Sequence, residues 1–538
     1  MKYSRIIFPI FLSIAMLAGI VIGVFFDFPA KSVALTESTQ RENKLRQILN
    51  YIDFEYVDNL NTDSILDITI SDLLRKLDPH SAYIPQDQVA ATEETIKGSF
   101  EGIGIEFRIF KDTLTVIRAI EGGPSEKVGI RAGDRILMAA DRQMFGEELR
   151  NKDVIETLKG ESGTRVSLAM YHPLDGTKEV VTVKRGEVPI NSVQTVFMVD
   201  DSTGYVKLVR FSATTGKEFN KALKQLRKAG AERIIFDLRD NPGGLLSAAR
   251  EVSDELLGND EMIVFTKNRE GDKNVVKAGS SGLFQDGPLV LLINEGSASA
   301  SEIVAGAIQD NDRGWVIGRK SFGKGLVQEE MTLNDGSKIR LTTRRYYTPS
   351  GRSIQKPFED YDQSYLQRKG YHDGDSQALN DTLPANKIYR TLNGRPVFGG
   401  GGIEPDVKVN LDTSRAGVIL YHLAALGNID NKAFAYVDDH RAEFESLNRK
   451  DFMQAFEVTD TVMHYFFSNN ADELKKYDEN INTLLRARVK AYLGYYLYGN
   501  SAFQEAYGQY DPFIKEALRI LNENGESPEL KELESMVE

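Results

Sequence analysis

The pattern of hydrophobic and polar positions changes several times along the chain. Residues 38–97 place apolar side chains at helical spacing, as in "SILDITISDLLRKL", which predicts a small helical module. Residues 98–186 instead show short alternating or apolar runs, such as "GIGIEF" and "RVSLAMY", between glycine-rich turns. This second pattern is typical of a compact β-rich domain, with one short helix near "NKDVIETLKG".

The second half of the chain contains two further patterns. Between residues 187 and 412 strand-like runs such as "RIIFDL" and "PLVLLI" alternate with amphipathic helices, which predicts an α/β core with parallel strands. From residue 413 to 538, one helical pattern follows another, rich in Tyr, Phe and Leu, which indicates a helical C-terminal domain. The expected fold class is therefore α+β and multidomain.

The N-terminus predicts a membrane segment within residues 1–30. Lys2 and Arg5 precede an uncharged apolar run from Ile6 to Phe26, which is long enough to cross a bilayer. An uncleaved anchor is favoured over a signal segment because the run is long and no clear A-x-A cleavage site follows. We expect the basic end in the cytoplasm and the remaining chain anchored to the inner membrane, facing the periplasm, or exported if the segment is cleaved.

Composition excludes several function classes. Lys and Arg total 66 against 79 Asp and Glu, a net charge of −13, so nucleic acid is not an expected partner. The chain has no cysteine, which removes disulfides, thiolate metal sites and cysteine nucleophiles. It contains no HExxH, P-loop or dinucleotide motif, so neither a metal nor an organic cofactor is expected.

The segment "NEGSASASE" carries the first candidate chemistry. It lies between a predicted strand and a predicted helix, where a hydroxyl would stand beside the backbone N–H groups of a helix start and developing negative charge is stabilised. Ser297, Ser299 and Ser301 alternate there, and the local sequence does not say which one would react. Small residues that merely cap a helix explain the segment equally well.

A serine nucleophile needs a base, and none of the six histidines lies beside these serines in the sequence. A desolvated lysine is the alternative. Lys324 in "SFGKGLVQ" is flanked by glycines and an aromatic residue, whereas a lone lysine is usually a solvated surface charge. If "KGLVQEEM" is a strand, Lys324 and Gln328 lie on one face, where the amide would orient the amine.

These motifs, with "DLRDNPGG" before them and "YYTPSGRSIQ" after them, resemble the carboxy-terminal processing (tail-specific) serine peptidases over roughly residues 40–412. The resemblance implies that Ser299 is the nucleophile, Lys324 the base and Gln328 the group that orients the lysine. It also implies an oxyanion hole built from a backbone N–H of Gly243 or Gly244 together with that of Ala300.

The β-rich domain has its own resemblance. "GSFEGIGIEF" and "GGPSEKVGIRAGDRILMAA" resemble the carboxylate-binding loop and the following segment of PDZ domains. The resemblance implies that the backbone of Gly102, Ile103, Gly104 and Ile105 binds the C-terminus of a peptide, which adds to the sheet as a strand.

The expected function is a serine endopeptidase that selects exported proteins by their free C-termini and cleaves them through an acyl-enzyme. Two alternatives stay open. One is a membrane-bound PDZ adaptor whose peptidase fold is inactive, and the other is a hydrolase of a different acyl bond, such as a peptidoglycan ester. The helical C-terminal domain matches no known motif, and we expect it to cover the cleft, to self-associate or to hold an adaptor.

Overall fold

The computed structural model describes residues 39–361, 387–425, 428–467 and 478–523. The predicted anchor, residues 1–30, lies outside these ranges, and within them no helix has the length and hydrophobicity needed to span a membrane. The chain divides into two compact units, with the boundary after Asp72. In the first unit lie helix α1 (Thr39–Glu55) and most of α2 (Thr62–Arg75).

The predicted N-terminal helical module is helical, but it also contributes a strand to the α/β core. Strand β1 (Ala82–Ile84) pairs antiparallel with a later strand, β18 (Lys338–Tyr347), and helix α3 (Gln86–Lys97) follows it. The apolar pattern of residues 38–97 gave no sign of so short a strand, because three residues are too few to show a period of two.

The β-rich domain forms as predicted. Its elements are β2 (Ser99–Gly102), β3 (Ile105–Phe110), β4 (Thr113–Ala119), α4 (Pro124–Lys127), β5 (Arg135–Ala139), β6 (Arg142–Gln143), α5 (Asn151–Leu158), β7 (Arg165–His172), β8 (Thr177–Lys184) and β9 (Gly186–Pro189). Its sheet has the strand order β3-β4-β5-β7-β8, with β6 beside β5, and a separate pair β2-β9 connects it to the rest of the chain.

The α/β core contains two sheets. Its elements are β10 (Val193–Met198), β11 (Thr203–Leu208), α6 (Thr215–Lys228), β12 (Arg233–Asp237), α7 (Leu246–Asp254), β13 (Met262–Lys267), β14 (Lys273–Lys277), β15 (Leu289–Ile293), α8 (Ala300–Asp310), β16 (Trp315–Gly318), β17 (Leu326–Thr332), β18, β19 (Ile388–Arg390), β20 (Pro396–Phe398) and β21 (Val407–Lys408). The central sheet has the order β10-β11-β12-β15-β16-β21, and all its pairings except β10-β11 are parallel. The predicted parallel strands are therefore confirmed.

Every residue of β15 is buried, because both faces of the central sheet are covered. Leu289, Leu291 and Ile293 face a core that includes α6, α7 and α8. The alternate residues Val290 and Leu292 face a second core.

The helix that covers this second face comes from the far end of the chain. Helix α16 (Pro512–Glu523) buries Phe513, Ile514 and Ala517 against the sheet. Arg239, which follows β12, forms an ion pair with Asp511, the residue immediately before α16. The sequence assigned all of residues 413–538 to one helical domain, whereas this last helix packs on the α/β core.

The other C-terminal helices form an aromatic core of their own, as their composition suggested. They are α9 (Arg415–Ala425), α10 (Asn428–Asp439), α11 (Arg441–Phe444), α12 (Arg449–Ala455), α13 (Asp460–Phe467), α14 (Glu479–Tyr498) and α15 (Asn500–Gly508). Phe434, Phe452 and Phe466 lie at the centre of this cluster, and Ile117 of strand β4 packs into it. The helices therefore contact the β-rich domain directly.

Candidate active site

A tight turn joins the central strand β15 to the buried helix α8. Ser299 is the last residue of this turn and has φ 55° and ψ −112°, a backbone conformation that costs a non-glycine residue of order 1–3 kcal/mol. Every residue of α8 is buried, so the turn is mounted on a rigid support. With this conformation, Ser299 lies outside both strand β15 and helix α8.

The structure separates the three serines that the sequence left equivalent. The hydroxyl of Ser297 donates to the carbonyl of Leu238 at 2.8 Å, and that of Ser301 donates to the carbonyl of Asn241 at 2.9 Å. Both serines are buried. Ser299 is half-buried, and its hydroxyl donates to no carbonyl of the described residues. Two of the serines are thus structural, and Ser299 alone of the three has its hydroxyl available.

The "DNPGG" turn packs against this serine turn. At Gly243 a Cβ atom would lie 2.6 Å from the Ala298 carbonyl oxygen and 2.9 Å from the Ser299 Cβ, so only glycine fits there. The Gly243 N–H donates to the Asn241 side chain at 2.9 Å. In the described ranges, the N–H groups of Gly244 and Ala300 donate to no acceptor, which leaves these two available for an oxyanion.

Lys324 lies in a loop beside the serine turn and is half-buried. The loop is fixed by the Phe322 N–H, which donates to the Ser297 carbonyl at 3.0 Å, and by the Gly325 N–H, which donates to the Gln355 side chain at 2.8 Å. The motif "YYTPSGRSIQ", which supplies Gln355, therefore helps to hold the loop that carries the lysine.

The reasoning that put Lys324 and Gln328 on one strand face was wrong. Strand β17 begins at Leu326, after the lysine, and its pairing with β18 shifts register between Val327 and Gln328. The extra residue at this shift, Thr343, belongs to β18, and the argument fails because Lys324 itself lies outside the strand. The Gln328 amide donates to the Thr342 hydroxyl at 3.3 Å.

Glu302, which the sequence analysis did not single out, connects the serine turn to the lysine loop. Its buried carboxylate accepts hydrogen bonds from the N–H groups of Ser299 (2.8 Å) and Lys324 (2.9 Å). It also accepts the Gly323 N–H at 2.7 Å and the Ser321 hydroxyl at 2.5 Å. Burial raises the pKa of Glu302 to about 7, and the four donated hydrogen bonds oppose that rise.

Glu302 did have a signal in the sequence. "SASE" fits the S-x-x-E pattern in which a glutamate three residues into a helix accepts the N–H of the capping residue. The pattern explains the bond to Ser299 but carries no information on the bonds to residues 321–324, which depend on the tertiary fold.

Tyr346 makes the complementary connection through carbonyl groups. Its hydroxyl lies 3.1 Å from the Ser299 carbonyl oxygen and 2.6 Å from that of Lys324. The side chain is fully buried, and burial holds the pKa of the phenol well above its ordinary value, so it remains a hydrogen-bond donor. The backbones of Ser299 and Lys324 are therefore joined twice, once through their N–H groups and once through their carbonyls.

Buried ion pairs fix the far end of helix α8. The guanidinium of Arg352, in "YYTPSGRSIQ", donates to Asp310 at 2.7 Å and to the Gln309 side chain at 2.6 Å, and neither partner of the ion pair is exposed. Arg395 pairs in the same way with Asp312 and Asp406. The helix that carries Ser299 is thus held at both ends.

The predicted peptide-binding loop opens the β-rich domain. Gly104 has φ 76°, a left-handed conformation that suits glycine, and Ile103 is buried. The carbonyls of Ile103 and Gly104 accept hydrogen bonds from Ser125 and Ile120, respectively. Their N–H groups donate to no residue of the described part of the chain. Gly102 pairs within β2-β9, and Ile105 begins β3.

The structure brings together Ser299, Ala300, Gly243 and Lys324, and it places the loop of residues 102–105 in a different domain. Across the described ranges, no group of three or more His, Cys, Asp or Glu side chains is arranged to hold a metal ion.

Comparison with known proteins identifies the family of this chain. Residues 202–362 match the peptidase family S41, and residues 419–499 match a family of unknown function, DUF8443. The chain is 33% identical over 351 residues to a carboxy-terminal-processing protease of Bartonella bacilliformis, covering 62% of this chain and 79% of that protein. It is 38% identical over 286 residues to a carboxyl-terminal-processing protease of Picosynechococcus, covering 52% and 67%.

Among solved structures, the photosystem II D1 C-terminal processing protease aligns with a TM-score of 0.36 and 27% identity, over 71% of this chain and 90% of that one. Residues 202–362, which match the peptidase family, include the serine turn and the lysine loop described above. The chain is a serine-type peptidase. The chain belongs to the family of carboxy-terminal-processing proteases.

Proposed function

We propose that the protein cleaves peptide bonds with a dyad of Ser299 and Lys324 through an acyl-enzyme. The observation that carries the proposal is the double connection between the two backbones through Glu302 and Tyr346. A nucleophile and its base must keep one relative position through both steps of the reaction, and these contacts provide it.

In the first step Lys324 accepts the Ser299 proton while Oγ bonds to the scissile carbonyl carbon. The N–H groups of Ala300 and Gly244 stabilise the oxyanion that forms, since the Gly243 N–H donates to the Asn241 side chain. The lysine then donates the proton to the departing amine as the carbon–nitrogen bond breaks. In the second step water attacks the acyl-enzyme and releases Ser299. The role of Gln328, which orients the lysine in this scheme, rests on the family resemblance alone.

The β-rich domain acts in the proposal as a PDZ domain that selects the substrate. The available N–H groups of Ile103 and Gly104 suit a C-terminal carboxylate, since such loops bind carboxylates through backbone donors. The unpaired edge of β3, which begins at Ile105, is suited to receive the peptide as an added strand. Substrates are then proteins with free C-termini.

Residues 1–30 are proposed to anchor the protein in the inner membrane with the rest of the chain in the periplasm. This proposal depends on the basic and apolar pattern of the N-terminus alone. Alkaline extraction of membranes from cells that produce the full chain tests it: an anchored chain remains in the pellet, and a cleaved one appears in the soluble fraction.

The test of the dyad compares the wild type with Ser299→Ala on an unfolded protein that ends in an apolar tail. If the protein is a peptidase, the wild type cleaves this substrate and Ser299→Ala does not. If it is an inactive adaptor, cleavage is equal and negligible with both. An ester substrate offered in parallel identifies a hydrolase of another acyl bond, which would cleave the ester and spare the protein. Amidation of the tail tests the PDZ domain separately, because it removes the carboxylate and leaves the scissile bond intact.

A further inference from the structure

A cavity of about 790 Å³ lies between the β-rich domain and the C-terminal helices. On one side it is bounded by strand β3 and by the residues that begin α5; on the other side are helices α10, α14 and α15. Its lining includes Phe107 and Arg108 of β3 and, from the helices, Asp430, Tyr492, Tyr495 and Phe503.

Strand β3 pairs only with β4 among the described residues, so one of its edges carries unpaired backbone groups. Successive side chains of a strand point to opposite faces, yet both Phe107 and Arg108 line the cavity. The cavity therefore extends around the edge of β3, which is the edge where the proposed peptide strand would add.

The helical wall of the cavity is fixed to β3 by polar contacts. Arg108 pairs with Asp430 at 2.6 Å, and the Tyr495 hydroxyl donates to Glu106 at 2.5 Å. Asp430 also accepts the Tyr496 hydroxyl at 2.6 Å, and Glu106 pairs with Arg118. Because these carboxylates already have partners, they leave little free charge in the cavity.

The part of the wall beyond these contacts is aromatic. Tyr492 of α14 and Phe503 of α15 meet edge to face, with ring centroids 5.1 Å apart. The Arg488 guanidinium lies 5.5 Å from the first ring and 5.3 Å from the second, which holds both rings in place. Half-buried aromatic rings of this kind bind large apolar or aromatic side chains.

We propose that this cavity is a second subsite for the substrate tail, which binds an aromatic or large aliphatic side chain upstream of the free carboxylate. The inference rests on the proposed binding of C-termini by residues 102–105. A strand advances about 3.4 Å per residue, so a tail held at Gly104 and running antiparallel along β3 reaches Ile109 about five residues from its end. Most of the helical wall belongs to the segment that matches the family of unknown function, residues 419–499.

The test measures the dissociation constants of labelled eight-residue peptides by fluorescence anisotropy, with the full chain carrying Ser299→Ala. One peptide has Phe at the fifth position from its C-terminus and a second has Ser there, and each is made with a free and an amidated end. We expect the Phe peptide to bind about tenfold more tightly than the Ser peptide, as burial of one large apolar side chain predicts.

Phe503→Leu should reduce the preference for the Phe peptide over the Ser peptide to about twofold or less, because less apolar surface is buried against the cavity wall. Tyr507→Leu is the matched control: Tyr507 lies one turn later on α15 and contacts the same Arg488, but it does not line the cavity. This control should keep the preference. A photoreactive phenylalanine at the same peptide position provides a test without mutation and should crosslink to α14 or α15.

Two results separate the failure of the inference from that of the proposed function. If free tails bind better than amidated tails but the Phe and Ser peptides bind equally, or crosslinks form only outside α14 and α15, the second subsite is excluded and the PDZ proposal stands. If amidated and free peptides bind alike, carboxylate recognition fails, and the inference fails with it.

Discussion

The backbone N–H groups of Ser299 and Lys324 donate to one and the same oxygen, Oε2 of Glu302, at 2.8 and 2.9 Å. Two residues that are distant in the sequence thus share a single buried acceptor. The position of the lysine relative to the serine is therefore sensitive to a side chain that does not itself take part in the chemistry.

Glu302→Gln should lower kcat by about 10- to 100-fold with little change in KM, because a misplaced base slows the chemical step without touching the substrate. The glutamine side chain has one oxygen and one NH₂ group, and the NH₂ group cannot accept the hydrogen bonds that the second carboxylate oxygen of Glu302 accepts. The measurement is steady-state cleavage of a peptide with a free tail.

Glu295→Gln is the matched control for this experiment. Glu295 lies in the same turn, but its side chain is exposed and pairs with Arg319 at the surface. We expect kcat of this variant within about twofold of the wild type, as for surface ion pairs in general. Equal activity of the two variants would show that the shared carboxylate does not position the dyad.

Stability should depend on pH through Glu302. Burial raises its pKa from the ordinary 4.5 to about 7, so the folded protein retains a proton that the unfolded chain has released between these values. The free energy of unfolding therefore decreases as the pH rises through this interval, by up to about 3 kcal/mol. Glu302→Gln removes this part of the dependence.

The measurement is urea unfolding between pH 5 and 8, followed by fluorescence. The chain has one tryptophan, Trp315, in the central sheet, so the signal reports on the peptidase core. A difference between wild type and Glu302→Gln that stays constant over this range would contradict the raised pKa.

Tyr346→Phe should reduce kcat by about tenfold while the protein stays folded, since it deletes only the hydroxyl that bonds the Ser299 and Lys324 carbonyls. Tyr347→Phe is the neighbouring control, because Tyr347 stacks on Phe265 and does not contact the dyad. Cleavage rates and circular dichroism spectra of both variants give the comparison. Equal cleavage rates for the two variants would show that the Tyr346 hydroxyl does not position Ser299 and Lys324.

Arg352→Met should destabilise the core by about 3–5 kcal/mol, because it leaves the fully buried Asp310 without its partner. Arg344→Met, which breaks a partly exposed pair with Glu329, should cost about 1 kcal/mol or less. Unfolding of both variants is followed by Trp315 fluorescence. Similar losses in the two would mean that the buried pair does not stabilise helix α8.

The sequence predicted the elements that repeat a strong local pattern. The buried strand "PLVLLI", the amphipathic helices and the β-rich domain have the expected type, because side-chain periodicity reports which faces are buried. The family resemblance also paired Ser299 with Lys324, and in the structure the backbones of these two residues share the carboxylate of Glu302.

The features that the sequence missed depend on contacts between distant segments. Strand β17 begins at Leu326, after Lys324, so strand alternation does not place Lys324 and Gln328 on one face, and the pattern of the sequence does not show this boundary. The hydroxyls of Ser297 and Ser301 are bonded to carbonyls of the "DLRDNPGG" segment, which no local pattern shows. Helix α16 resembles its neighbours in sequence, yet it packs on the central sheet.

The central claim is that Lys324 is the base for Ser299. The most direct measurement is the single-turnover cleavage rate of an unfolded protein with a free apolar tail, by Lys324→Ala and by Lys320→Ala. Lys320 is a matched control in the same loop, since its side chain is exposed. The account predicts that Lys324→Ala loses at least about a hundredfold in rate while Lys320→Ala stays within about twofold. A Lys324→Ala protein that cleaves at the wild-type rate would contradict it.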